Sequence, residues 1–124
     1  MSKILVIDDD PATLDVLMLM FKIEGYHIFG RNSCLNIIED IETVKPDLIL
    51  LDVIMGSIDG RDVCRELKQS KHKHVPIILM SVINNFYADI NKPMFSDDYI
   101  EKPYDLDVML NKVNVLITKA TSAV

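Results

Sequence analysis

Leu48-Ile49-Leu50-Leu51-Asp52-Val53-Ile54-Met55-Gly56 is the stretch on which the reading of the fold turns. Four consecutive apolar residues ahead of one Asp describe a strand buried on both faces, because a strand with one wet face alternates apolar and polar side chains. Asp52 then stands at the carboxyl end of a core strand. In an open α/β sheet ligands bind in the crevice outside those ends, so a carboxylate there is placed for chemistry; it is also placed to cap a following helix.

Working outward, Lys3–Ile7 is a β-branched run and a first strand. Asp10-Pro11 reads as N-cap and first helical position of a helix carrying Leu14, Leu17, Met18 and Phe21, with Gly25 as its stop. Tyr26–Phe29 is a second strand, and Ser33 caps a helix with Leu35, Ile38 and Ile41, and Ile37 beside them, on its apolar face, ending before Lys45-Pro46. Downstream of the central strand, Val63, Cys64 and Leu67 mark a third helix after Gly60, and Val75-Pro76 leads into the strand Ile77–Met80. Asn84–Ile90 makes a short or irregular fourth helix, Tyr99–Glu101 a fifth strand, and Asp105 caps a last helix with Leu106, Met109, Leu110, Val113, Leu116 and Ile117. Strand and helix thus alternate five times, which calls for right-handed crossovers and a parallel sheet with helices on both faces.

Composition narrows the function. The chain has 124 residues and a formal net charge of −6, which opposes the broad basic surface that non-specific nucleic-acid binding requires. No apolar run approaches the roughly 18–20 residues of a membrane helix, and Lys3 followed by an apolar strand and three Asp is no targeting signal, so the cytoplasm is expected. Cys34 and Cys64 lie apart in helical patterns and read as reduced core residues. The seven Met read as core filler, and Lys68, Lys71, His72, Lys73 and His74 as a solvated helix terminus.

The strand ends carry the chemistry. Asp8-Asp9 follow the first strand, Asp52 the third, Ser81 the fourth and Lys102-Pro103 the fifth, and a parallel sheet brings all of them to one edge. Carboxylates crowded together disfavour each other's ionised form unless a cation sits among them, and hard oxygen donors suit Mg²⁺, or Mn²⁺ in its place. A divalent cation, a nucleophilic carboxylate, a hydroxyl and an ammonium make a phosphoryl-transfer site whose product is an aspartyl phosphate.

Ile4-Leu5-Val6-Ile7-Asp8-Asp9-Asp10-Pro11, Leu51-Asp52-Val53-Ile54-Met55 with Ile58-Asp59-Gly60, Met80-Ser81, and Asp97-Asp98-Tyr99-Ile100-Glu101-Lys102-Pro103 together resemble the receiver domain of two-component response regulators. The resemblance covers about residues 2–118 and implies a flavodoxin-like, doubly wound α/β fold with a five-stranded parallel sheet in the order 2-1-3-4-5 and five helices. Residues 1–120 would form the receiver, and 121–124 a tail or the start of a linker. It makes Asp52 the phosphoacceptor, fed by a histidine kinase or histidine phosphotransfer protein. Asp8 and Asp9 would hold the metal together with Asp52 and the Ile54 backbone carbonyl. Lys102 would pair with the phosphoryl group, its bond to Pro103 being cis; Ser81 would be the switch hydroxyl and Tyr99 the aromatic that re-packs the face of helix four, strand five and helix five. No enzymatic activity is implied beyond Mg-dependent self-phosphorylation and autodephosphorylation. The resemblance leaves open a homodimer formed on phosphorylation, and the output element or partner is expected outside this sequence.

Some residues depart from the family's pattern. Gly56 replaces the usual Pro, which predicts a loop less pre-set by about 0.4–1 kcal/mol. Val82 follows the switch Ser81 where a small residue is usual and predicts slower phosphorylation by small donors. Ile54 and Ile83 offer no side chain to orient a hydrolytic water, which predicts a long-lived phosphoryl group. Met94-Phe95-Ser96, preceded by Pro93, replaces a small Gly-Ala. Two rival readings are a pseudo-receiver that binds partners without phosphorylation and a phosphohydrolase using Asp8 as nucleophile and Asp10 as acid/base. The second is opposed by Pro11 and leaves Asp52 without a role.

Overall fold

The computed structural model describes residues 2–82 and 94–122. In chain order the elements are β1 (Lys3–Ile7), α1 (Pro11–Ile23), β2 (His27–Arg31), α2 (Ile37–Val44), β3 (Leu48–Asp52), β4 (Ile54–Met55), β5 (Ile58–Asp59), α3 (Gly60–Lys68), β6 (Ile77–Val82), β7 (Asp98–Lys102) and α4 (Leu106–Ser122). β2-β1-β3-β6-β7 form one sheet in that order, every pair parallel, while β4 and β5 form a separate antiparallel hairpin. With the hairpin set aside, this is the order 2-1-3-4-5 that the resemblance implies.

The period-2 alternation of the strands divides the core in two. Leu5, Ile7, Ile49, Leu51, Ile77 and Leu79 face α2 and α3, where Ile37, Ile41, Cys64 and Leu67 meet them. Ile4, Val6, Leu48, Leu50, Ile78 and Met80 face α1 and α4, where Leu17, Phe21, Met109, Val113 and Ile117 close the other side. Every residue of β3 is buried, as a central strand covered on both faces must be.

Four helices are described. The predicted fourth helix, 84–90, lies outside the described residues, as do Ile83, Tyr87 and Pro93 and the side chain of Val82. α4 continues to Ser122, into the stretch read as a tail. α2 differs from its expectation in register. Its buried stripe is Ile37, Ile41 and Val44 with Cys34 ahead of it, whereas Leu35 is 81% and Ile38 42% exposed. The Ser33 hydroxyl accepts the Leu35 N–H and the Ile37 N–H goes to the Cys34 carbonyl, so 33–36 form a turn and the helix starts later.

The basic cluster after α3 is also more than a solvated terminus. The Lys68 ammonium donates to the Lys73 and Val75 carbonyls at 3.3 and 3.0 Å and to Asp97 Oδ2 at 2.6 Å. Asp97 in turn accepts the Ile77 N–H at 2.8 Å, so one lysine ties α3 to the entrances of β6 and β7. Among the described residues no helix is long and apolar enough to cross a membrane.

Candidate functional site

The register of the sheet fixes the site. Ile7 pairs with Leu51, so Asp8 follows β1 beside Asp52 at the end of β3; Asp52 pairs with Met80, so Ser81 is one residue beyond it on β6; Val82 pairs with Lys102, the last residue of β7. Asp8 is fully buried and Asp52 is 5% exposed, while Asp9 is exposed to solvent. Lys102 Nζ donates to Asp8 Oδ2 at 2.9 Å and to Asp52 Oδ2 at 3.2 Å, so one ammonium bridges two buried carboxylates. Backbone N–H groups take the remaining oxygens: Asp10 donates to Asp8 Oδ1 at 2.9 Å, and Ile54 approaches Asp52 Oδ1 at 3.4 Å.

The charges here oppose one another. Burial pushes the Asp52 carboxyl up to about 6, with Lys102 acting downward and Asp8 upward. Burial works against the Lys102 ammonium, but the hydrogen bond to Asp8 and the charges of Asp52 and Asp8 outweigh it and raise its pKa. One oxygen from each of Asp8, Asp9 and Asp52 lies within 4.8 Å of the others. An oxygen-only donor set with two buried carboxylates, a single ammonium to offset them, and an open solvent side fits a hard divalent cation that keeps some of its waters.

Ser81 lies at the same edge, whereas Tyr99 pairs with Leu79 near the start of β7. Ser81 is half-buried and, among the described residues, its hydroxyl has no hydrogen bond to Asp52 or Lys102. Tyr99 is 49% exposed, on the outer part of β7. The Lys102–Pro103 peptide bond is cis.

Three features went unread in the sequence. The segment after Asp52 is a two-stranded hairpin closed by Gly56-Ser57, with Gly56 at φ +61°, a conformation closed to proline. The Gly56 position is therefore a built turn and not a loosened version of a proline loop; turn chemistry at Gly-Ser between the apolar Met55 and Ile58 was the available signal. Arg61 is 4% exposed and forks onto Asp59. Nothing in the pattern Asp-Gly-Arg-Asp flags a buried arginine. Tyr104 lines a cavity of about 600 Å³ beside the site with Val16, Lys102, Pro103 and Leu106, and burial raises its hydroxyl pKa.

Residues 4–114 match the family model of the response regulator receiver domain. The chain is 29% identical over 122 residues to the alkaline phosphatase synthesis transcriptional regulatory protein PhoP of Bacillus subtilis, covering 98% of this chain and 51% of that protein. It superposes on the signal receiver domain of a signal transduction histidine kinase from Syntrophus aciditrophicus with a TM-score of 0.86 at 26% identity, covering 96% of this chain and 92% of that one. The response regulator TrrA of Thermotoga maritima, solved in complex with Mg²⁺-BeF, gives a TM-score of 0.80 at 29% identity over 94% of this chain and 99% of that one. The chain belongs to the response regulator receiver domain family of two-component signalling. It spans about half the length of the curated relatives it matches.

Proposed function

We propose that the domain is a phosphorylation-dependent switch that accepts a phosphoryl group on Asp52 from the phosphohistidine of a histidine kinase or phosphotransfer protein. The observation that carries this reading is the Asp52 carboxylate at the end of β3, buried, bridged by Lys102 to Asp8 and flanked by Asp9. Asp8, Asp9, Asp52 and the Ile54 carbonyl would hold Mg²⁺, or Mn²⁺. When bound, the cation supplies charge neutralisation for the phosphoryl oxygens.

The chain's own residues do the rest. A carboxylate oxygen of Asp52 forms the new O–P bond as the P–N bond of the donor breaks, and the freed imidazole leaves with the donor protein. Lys102, already within hydrogen-bond reach of Asp52, holds the added negative charge. Ser81 gains a hydrogen-bond acceptor on the phosphoryl group, and that new contact favours the backbone arrangement that brings its hydroxyl close. The half-exposed Tyr99 ring packs inward as the β6 end shifts, which changes the face that an output domain or partner reads. The relatives include a transcriptional regulator and a receiver of a histidine kinase, so the output element differs between them. We expect the kinase contact in the cytoplasm.

The phosphohydrolase reading is weaker. Asp10, the acid/base in that scheme, turns its carboxylate to the Thr13 hydroxyl at 2.5 Å, and the scheme leaves the buried Asp52 without a role. The deciding experiment is intact mass after incubation with Mg²⁺ and a small phosphoryl donor, beside Asp52→Asn. A gain of one phosphoryl group that is absent in the variant and without the metal supports the switch. No gain from either a small donor or a phosphorylated histidine phosphotransfer protein leaves the pseudo-receiver.

A further inference from the structure

The hairpin after Asp52 returns to the strand it left. The Val53 N–H bonds the Met80 carbonyl at 2.8 Å, and the Val53 carbonyl accepts the Gly60 N–H at 2.7 Å, so the excursion 54–59 closes on the residue next to Asp52. Its two arms pair Ile54 with Asp59 and Met55 with Ile58. The Ile54 N–H lies 3.4 Å from Asp52 Oδ1, so the position of Ile54 is felt directly at the acceptor carboxylate.

Across the hairpin from Ile54, Asp59 is held twice. Its Oδ1 accepts the Arg61 N–H at 2.9 Å as the N-cap of α3. The Arg61 guanidinium folds back onto the same carboxylate, Nε at 3.1 Å from Oδ1 and Nη2 at 2.8 Å from Oδ2. A fork of this kind fixes direction as well as distance, which a single ammonium does not. Stability gives little reason for an arginine here. The side chain is buried, where an apolar residue of similar volume does as well or better, and it stands in the first turn of a helix, the wrong end of the dipole for a cation.

We infer that Arg61 is a positioning residue for the Asp52 site: its fork on Asp59 sets the hairpin and thereby holds Ile54 against the acceptor carboxylate. The inference rests on the reading of Asp52 as phosphoacceptor, and its test has an arm that does not.

The test compares the wild-type protein with Arg61→Leu, Arg61→Lys and Asp59→Asn. In metal-free protein, hydrogen exchange of the Ile54 and Gly60 amides should accelerate at least about 10-fold in all three, while amides of β1 and β3 keep their rates. Mg²⁺ dissociation constants from calorimetry should rise about 10-fold, the usual size of an effect on groups behind a metal's ligands. Phosphorylation by a small donor should slow at low Mg²⁺ and recover at saturating Mg²⁺, a split that a general loss of fold does not give. Arg61→Lys keeps the charge without the fork and should behave as Arg61→Leu; rescue by lysine overturns the inference. So does unchanged exchange at Ile54 and Gly60, or a uniform increase through the sheet. A wild type that takes no phosphoryl group overturns the reading of Asp52 while the exchange measurement still decides the role of Arg61.

Discussion

Lys102 Nζ donates to Asp8 Oδ2 at 2.9 Å, a contact between residues 94 positions apart that closes the site from the far edge of the sheet. The same ammonium reaches Asp52, so it offsets the very carboxylates that would otherwise repel each other. Removing it with Lys102→Met should therefore separate two properties. Mg²⁺ binding should tighten, by roughly tenfold, because a competing cation about 3 Å from the ligands is gone. Phosphorylation at saturating Mg²⁺ should fall by at least about tenfold, because the cation that meets the incoming phosphoryl group is also gone. Calorimetry with Mg²⁺ and intact mass against time give the two readings.

Asp52 sets a pH dependence of stability. Its folded pKa of about 6 stands above the ordinary value of 3.8, so between those two values the folded chain holds a proton that the unfolded chain has released. Stability from this group is accordingly present at low pH and is lost as pH rises from about 4 through 6. Asp52→Asn removes that loss, and Lys102 retains Asp8 as a partner. In metal-free urea titrations the variant and wild type should be similar near pH 4, and the variant should be more stable at pH 7.5 by up to about 3 kcal/mol. Excess Mg²⁺ at pH 7.5 should stabilise the wild type alone.

Two glycines in the segment after Asp52 do different work. A Cβ on Gly60 would lie 2.1 Å from the Asp52 carbonyl oxygen, so Gly60→Ala must push the hairpin off β3 and should cost about 3 kcal/mol. Gly56 has open space around its Cβ position but a φ of +61°, so Gly56→Ala should cost only about 1 kcal/mol of left-handed strain. Gly56→Pro, which restores the residue usual in the family, cannot adopt that φ and should destabilise the hairpin and slow phosphorylation. Urea midpoints for the three variants check the ranking.

These cases show where the sequence was readable. The unbroken run Leu48–Leu51 announces a strand covered on both faces, and once the strands are parallel, Asp8, Asp9, Asp52, Ser81 and Lys102 must share an edge, whatever the details of the helices. What stayed hidden depends on local competition between side chains and backbone. Ser33 captures the Leu35 N–H and delays α2, which turns Leu35 and Ile38 outward although their spacing suits a buried face. Lys68 reads as part of a solvated helix terminus and Arg61 carries no signal of its own, but each finds a carboxylate where the chain folds back on itself. Such pairings are set by tertiary approach, to which periodicity is blind.

Phe95 carries the remaining expectation. It stands in the stretch Met94-Phe95-Ser96, where the family has a small Gly-Ala, and it adopts φ +60°, the left-handed region in which a bulky side chain crowds its own carbonyl. Its ring is 51% exposed, so little apolar burial offsets that strain. The segment must turn there regardless, because Asp97 is fixed two residues later by hydrogen bonds in both directions with Ile77 and by Lys68. Phe95→Gly removes the left-handed strain of about 1–2 kcal/mol and returns part of it as chain entropy in the unfolded state, so a net gain of about 1 kcal/mol is expected. Phe95→Ala keeps the strained Cβ and should gain nothing. Thermal or urea unfolding of the two variants distinguishes backbone strain from the loss of an exposed ring: equal stability in both would place the cost in the ring and not in the backbone.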